Sequence, residues 1–390
     1  MENTLNMKTN ETKDKEQRKA LNKWAQNNYC GSIIAGTGFG KSRCGVVSIN
    51  HVLNVLGKQN ALIIVPTVQL QDQFRDEFAK WGYDSCLDRV DIMCYQSAYK
   101  LVDKHYDIVV CDEIHLGLSK EYIKFFKNNT YDKLLCMTAT MPEDVGYKMQ
   151  LFKLAPTVYN ITLDECVDMG LVSPYEIYCI PVELTFGEML EYDAVQADFV
   201  KHKMWLGPEA FDMAKFFIAN KQSTNEERFH AAGFYKAMRE RKGIVDTAYN
   251  KIAKFKDIVN ANLTEKIITF GGLNAFTDKL AESVSPLAEV YHSKRTLKAR
   301  KNALKRFKED EVNILCSTKA LNQGFDIPNA NIGIICGLTS KALSMVQRIG
   351  RLIRFEEGKT GKIYIIYVKN SQEEKWLNKS VADLKGINWL

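Results

Sequence analysis

Two short stretches carry residue types suited to holding and splitting a phosphoanhydride. Ser32-Ile-Ile-Ala-Gly-Thr-Gly-Phe-Gly-Lys-Ser42 runs from a short apolar strand towards a helix. In that setting backbone N–H groups and a helix N-terminus cradle phosphates. Gly36, Thr37, Gly38 and Gly40 would form the loop, Lys41 would reach the β- and γ-phosphates, and Ser42 would meet magnesium. Further on, the apolar Ile108-Val-Val-Cys111 runs straight into Asp112-Glu113-Ile114-His115. Two acids at a strand's carboxyl end suit a metal-holding Asp112 and a water-activating Glu113. ATP and Mg2+ are the implied cofactors.

Each stretch alone is weak. A Gly-Lys-[Ser/Thr] triplet arises by chance in roughly one chain in five of this length, and Ala35 stands where the full pattern has its first glycine. The chain even holds a second copy, Gly358-Lys359-Thr360, which follows Glu356-Glu357 and leads into a strand, so it reads as a turn. Acids after a strand are more often a solvated strand end. The combination, in this order, carries the reading.

At this point the chain resembles the superfamily 2 helicases. Asp112-Glu113-Ile114-His115 is close to their DEAH box, and Thr138-Ala139-Thr140 is similar to their third motif. Gly324-Phe-Asp-Ile-Pro328 is similar to their fifth and Gln347-Arg-Ile-Gly-Arg-Leu-Ile-Arg354 to their sixth. The resemblance covers roughly residues 16–370 and implies ATP-driven work on nucleic acid. It assigns Gln17 to reading adenine, Asp326 to the ribose or the domain interface, and Thr138, Thr140 and His115 to coupling, His115 towards Gln347. Arg351 and Arg354 lie one helical turn apart, so closure of two domains would bring both guanidinium groups onto the charge developing at the γ-phosphate. Lys41, Asp112, Glu113, Gln347, Arg351 and Arg354 are thus the candidate catalytic set. Thr67, Gln96, Ser97, Gly271, His292 and Thr318 match positions that meet the nucleic-acid backbone, although residues of these types are also common caps and turns.

Positioning these residues needs parallel strands whose carboxyl ends share one edge. Short β-branched runs occur at Ser32–Ala35, Ala61–Pro66, Val90–Tyr95, Asp107–Cys111 and Lys133–Thr138, with helical patterns between most of them. A second set follows at Lys266–Phe270, Glu289–His292, Val312–Ser317, Ile332–Cys336 and Lys362–Val368. The expected fold is therefore α/β, with two doubly wound parallel-sheet domains in tandem, RecA-like by the resemblance. The expected boundaries are a disordered leader over 1–15, an ATP-binding domain over 16–172, a linker and helical insertion over 173–262 and a second domain over 263–390. Most of the aromatics of the insertion (Trp205, Phe216, Phe217, Phe229, Phe234, Tyr235) read as core. Lys294, Lys298, Lys301, Lys305 and Lys308 form one basic stripe beside a face bearing Leu297, Leu304 and Phe307.

Composition narrows the class. The net charge of +6 is a mild basic excess compatible with a polyanionic partner. Ten cysteines contain no Cys-x-x-Cys pair, so a zinc or iron–sulfur site is not indicated and the thiols read as reduced core residues. No apolar run suits a membrane span or a signal peptide; a cytoplasmic, monomeric protein is expected, bacterial or phage-encoded, with its protein partners unspecified. DNA is the preferred substrate, single-stranded or branched, with roles in repair or recombination. Gln17 leaves no room for the upstream aromatic of the RNA-acting branch, and Val172-Ser-Pro-Tyr-Glu-Ile177 with Glu183-Leu-Thr185 resembles the linker of the XPB, UvsW and restriction-motor group. An RNA helicase and an ATP-switched clamp or restriction-complex subunit remain as alternatives.

Overall fold

The computed structural model describes residues 2–36, 38–318, 330–339, 360–382 and 384–390, with side chains from Glu11 onward. Six strands form the first sheet: β1 (Cys30–Ala35), β2 (Ala61–Val65), β3 (Val90–Cys94), β4 (His105–Cys111), β5 (Thr130–Thr138) and β6 (Thr157–Ile161). Their order is β3-β2-β4-β5-β1-β6, with every pairing parallel. The second sheet holds β7 (Tyr175–Val182), β8 (Ile267–Phe270), β9 (Ala288–Tyr291), β10 (Ile314–Ser317), β11 (Ile332–Ile335), β12 (Gly361–Val368) and β13 (Ile387–Trp389). Its order is β13-β7-β12-β11-β8-β10-β9, again parallel throughout. Central strands such as Ala61–Val65 and Ile332–Ile335 are buried along their whole length, as parallel strands covered on both faces must be. Two tandem α/β domains are the result.

Three boundaries differ from expectation. The segment expected to be a disordered leader is helical from Glu2, as part of Glu2–Gln26. That helix is fixed at its far end, where Ala20 and Trp24 are buried and Trp24 Nε1 donates to the Leu134 carbonyl at 2.9 Å; the polar first turns continue a helix whose anchor lies later in the chain. Residues 175–182, placed in the linker, are instead β7 of the second sheet, in register with β12 along all eight residues. Pro181 hid this strand, because proline suits only an edge; β13 pairs with Ile177–Cys179 alone, so beyond it β7 is an edge. Finally, the helix Tyr249–Asn260 belongs to the second domain's core through Phe255, Ile258 and Val259.

The insertion proper is three helices, Phe186–Leu206, Ala210–Ala219 and Asn225–Asp246, with a small core of Leu206, Ala210, Ala214, Phe217, Ala231 and Phe234. Its aromatics divide: Phe217 and Phe234 are buried, whereas Trp205, Phe216 and Phe229 are 40%, 55% and 60% exposed. A core this small cannot cover every aromatic the three helices carry.

A buried ion pair fixes the helix Tyr249–Asn260 within the second domain. Lys251 Nζ donates to Glu373 Oε1 at 2.8 Å and to the Cys336 carbonyl at 2.7 Å, and Glu373 Oε2 accepts from the Val368 N–H at 3.0 Å. Both side chains are fully buried, and burial raises the Glu373 pKa despite the adjacent ammonium. Lys251→Met should leave the carboxyl unpaired, a loss of about 3 kcal/mol or more by analogy with other buried pairs. A urea titration of the two proteins measures it.

Candidate functional site

β1 delivers its chain directly to the phosphate loop. Gly38 and Gly40 adopt φ of 94° and 90°, the left-handed region that favours glycine. At Gly40 a Cβ would lie 2.3 Å from Gln17 Nε2, so a larger residue there would also displace the Gln17 amide. The helix Lys41–Asn50 begins immediately after it, aiming its first N–H groups at the loop. Lys41 Nζ donates to the Ala35 carbonyl at 2.8 Å, which holds the ammonium across the loop. Thr37 lies outside the described residues.

Gln17, assigned to reading adenine, lies against the phosphate loop. Its amide N–H donates to the Phe39 carbonyl at 2.7 Å, and its oxygen accepts from Arg43 at 3.0 Å. With both ends of the amide engaged, Gln17 braces the phosphate loop. Arg43 also pairs with Asp14 and lies 3.8 Å from the centre of the Trp81 ring. Sequence reasoning missed Asp14, Arg43 and Trp81; the only local signal was the position of Arg43 directly after Ser42.

The acids stand one strand away from the loop, not beside it, because β5 separates β4 from β1. β5 contributes Thr138 at the shared edge. Thr138 Oγ1 lies 3.3 Å from Glu113 Oε2 and 3.3 Å from His115 Nδ1, and His115 Nδ1 lies 3.4 Å from the same carboxylate oxygen. The expected coupling residues His115 and Thr138 therefore form one triangle with Glu113, and Thr140 stands next to it through its carbonyl, 3.2 Å from Thr138 Oγ1. Glu113 adopts φ 49° and ψ 54°, a conformation uncommon outside glycine, and this aims its carboxylate back towards β5.

Asp112 is 7% exposed. Burial first, then the neighbouring Glu113 charge, pushes its carboxyl up to about 7, while Lys41 acts in the opposite sense. A buried carboxyl short of positive charge, with the hydroxyl of Ser42 on the adjoining helix, is an all-oxygen donor set of the kind magnesium takes. The two residues that would hold the ion are thus Ser42 and Asp112. Because the folded chain grips this proton more tightly than the unfolded chain, the neutral carboxyl stabilises the fold fully below its ordinary pKa of 3.8, and that stability is lost as pH rises to about 7. Without divalent metal the urea midpoint should therefore fall across this window, and Asp112→Asn should remove that part of the dependence.

The residues assigned to nucleic acid also stand at strand ends. Thr67 follows β2, and Gln96 and Ser97 follow β3, the two neighbouring strands on one side of the first sheet. Gln96 and Ser97 are exposed. Thr67 begins the helix Val68–Lys80 without capping it, and its hydroxyl makes no protein hydrogen bond. In the second sheet Gly271, Thr318 and His292 follow β8, β10 and β9, three consecutive strands. His292 is a correction: it is 2% exposed, with Nε2 3.1 Å from Asp278 Oδ1, which also pairs with Arg295. It anchors this corner from within and has no surface to offer a polymer. On the basic helix Leu297–Lys308 the lysines are exposed as expected, but Leu297 is also 55% exposed, and Ala303, Leu304 and Phe307 face the core. Asp326, Gln347, Arg351 and Arg354 lie outside the described residues, as does most of the second Gly-Lys-Thr copy, whose Thr360 leads directly into β12.

The family "Type III restriction enzyme, res subunit" matches residues 10–143, and "Helicase conserved C-terminal domain" matches residues 250–356. The DNA 3'-5' translocase XPB2 of Sulfurisphaera tokodaii is 24% identical over 366 residues, covering 90% of this chain and 80% of its own length. Putative helicase 22 of a Sulfolobus islandicus filamentous virus is 31% identical over 369 residues, covering 87% of this chain; the chain spans 60% of that relative. The Pyrococcus furiosus Hef helicase domain shares the fold, with a TM-score of 0.57 at 13% identity over 92% of this chain and 96% of the other. Fold and site together define a two-domain helicase motor with a phosphate loop. Together the matches support a superfamily 2 helicase of the XPB and type III restriction motor type. Its helicase domains imply the use of ATP, typically with Mg2+, and the binding of nucleic acid. Among the described residues no helix is long and apolar enough to cross a membrane.

Proposed function

We propose that the chain is an ATP-dependent DNA translocase that moves 3′ to 5′ and remodels duplex or branched DNA in repair or recombination. The similarity to a DNA 3'-5' translocase along 90% of the chain is the observation that carries this reading. ATP binds between the phosphate loop and the acids of β4, with Lys41 on the β- and γ-phosphates, Ser42 and Asp112 on Mg2+, and Glu113 orienting the attacking water. Bound magnesium supplies charge neutralisation at the phosphates. Asp326, Gln347, Arg351 and Arg354 complete the site from the second domain, so turnover follows closure of the two domains. Thr67, Gln96, Ser97, Gly271 and Thr318 track the backbone of one strand, as contacts that position without reading sequence. The protein works as a monomer in the cytoplasm.

RNA is the second reading, favoured by a 21% identity to the pre-mRNA-splicing helicase PRP28 of Saccharomyces cerevisiae over 91% of this chain. ATP turnover measured with DNA and RNA of equal length separates the two. DNA should stimulate by about tenfold or more over the RNA arm; the reverse order would replace DNA with RNA as the substrate.

A further inference from the structure

Tyr95 ties the proposed nucleic-acid surface of the first domain to its nucleotide site. It opens the short helix Tyr95–Ala98 after β3, immediately before the exposed Gln96 and Ser97. Its own side chain turns inward, 2% exposed, and its hydroxyl donates to the Asp112 carbonyl at 2.9 Å. The ring is held on two sides. Tyr122 stacks on it at 5.7 Å between centres, and Gly117 meets it so closely that a Cβ there would lie 2.8 Å from Tyr95 Cε1. Gly117 ends the helix Ile114–Gly117, which follows directly on Glu113 and carries His115.

The Asp112 carbonyl belongs to the peptide linking the metal-holding acid to Glu113. The plane of that peptide sets the φ of Glu113, which is already in the left-handed region at 49°. A displacement of Gln96 and Ser97 by a bound strand moves Tyr95 with them, and the hydroxyl carries the movement to this peptide and so to the Glu113 carboxylate. We infer that Tyr95 is a positioning residue through which nucleic acid held at Gln96 and Ser97 sets the orientation of Glu113 and stimulates ATP hydrolysis. This rests on the proposed DNA-dependent reading of the same site.

The test uses the full chain and compares ATP turnover at saturating ATP with and without saturating single-stranded DNA. Tyr95→Phe keeps the ring and removes the hydroxyl, and should reduce the DNA stimulation by about tenfold, the scale of one lost hydrogen bond to a buried carbonyl. Its Kd for DNA and KM for ATP should stay within about twofold of wild type. Gly117→Ala, which displaces the ring without removing the hydroxyl, should show the same loss should Tyr95→Phe fail to fold. Tyr122→Leu removes a packing neighbour but no link in the chain, so it should lower the thermal midpoint and keep the stimulation. Wild-type stimulation in both Tyr95→Phe and Gly117→Ala would overturn the inference and leave the DNA reading intact. A wild-type protein that DNA fails to stimulate would overturn the DNA reading and the inference with it.

Discussion

Lys41→Ala should abolish ATP hydrolysis while leaving the fold in place. The Nζ group is held over the loop by the Ala35 carbonyl, 2.8 Å away, where it would meet the charge that develops on the β- and γ-phosphates. Removing a preorganised charge of this kind costs about 10^2- to 10^3-fold or more in kcat. The side chain's one described hydrogen bond is to that carbonyl, so the stability change should be no more than about 1 kcal/mol. Steady-state ATPase assays and a urea titration separate the two effects. A variant that hydrolyses ATP at the wild-type rate would place the phosphates elsewhere.

Glu113→Gln should stop hydrolysis by about 10^2- to 10^4-fold, the range for loss of a general base, and should keep ATP bound. The side chains of glutamine and glutamate have the same length, so the bonds from Thr138 and His115 can be kept in part, and the left-handed backbone at this residue is unchanged in demand. What disappears is the carboxylate's ability to accept a proton from water. The expected signature is a trapped complex: nucleotide affinity within about threefold of wild type and no single-turnover release of phosphate. Weakened nucleotide binding with turnover intact would assign Glu113 to the fold of the loop and not to chemistry.

Local patterns made most of this legible in the sequence. Ten strands follow from β-branched runs, and the phosphate loop and the acid pair each sit within a few residues of a strand end, where parallel sheets gather their chemistry. Three strands escaped that reading by being short, at an edge or interrupted. β6 is a five-residue edge strand with alternating exposure, β13 is three residues long, and β7 contains Pro181. Side chains whose partners lie far along the chain carry no local sign of them. Gln17 meets Phe39 across 22 residues and Tyr95 meets the Asp112 carbonyl across 17; neither spacing marks a helix or a hairpin, so only the packed sheet brings them together. His292 looked available because it follows a strand, and burial beside Asp278 took it away. The exposed Trp205, Phe216 and Phe229 reverse the usual expectation for aromatics because the insertion's own core is too small to hide them.

The central claim is that hydrolysis at this site drives movement along DNA. Displacement of a third strand from a triplex placed on a duplex track tests it directly, since release requires travel and not merely binding. Wild-type protein should release the third strand only with hydrolysable ATP and Mg2+, and Glu113→Gln should bind the track and release none. Release by Glu113→Gln at the wild-type rate, or ATP hydrolysis by the wild type with no release from any track, would contradict the account.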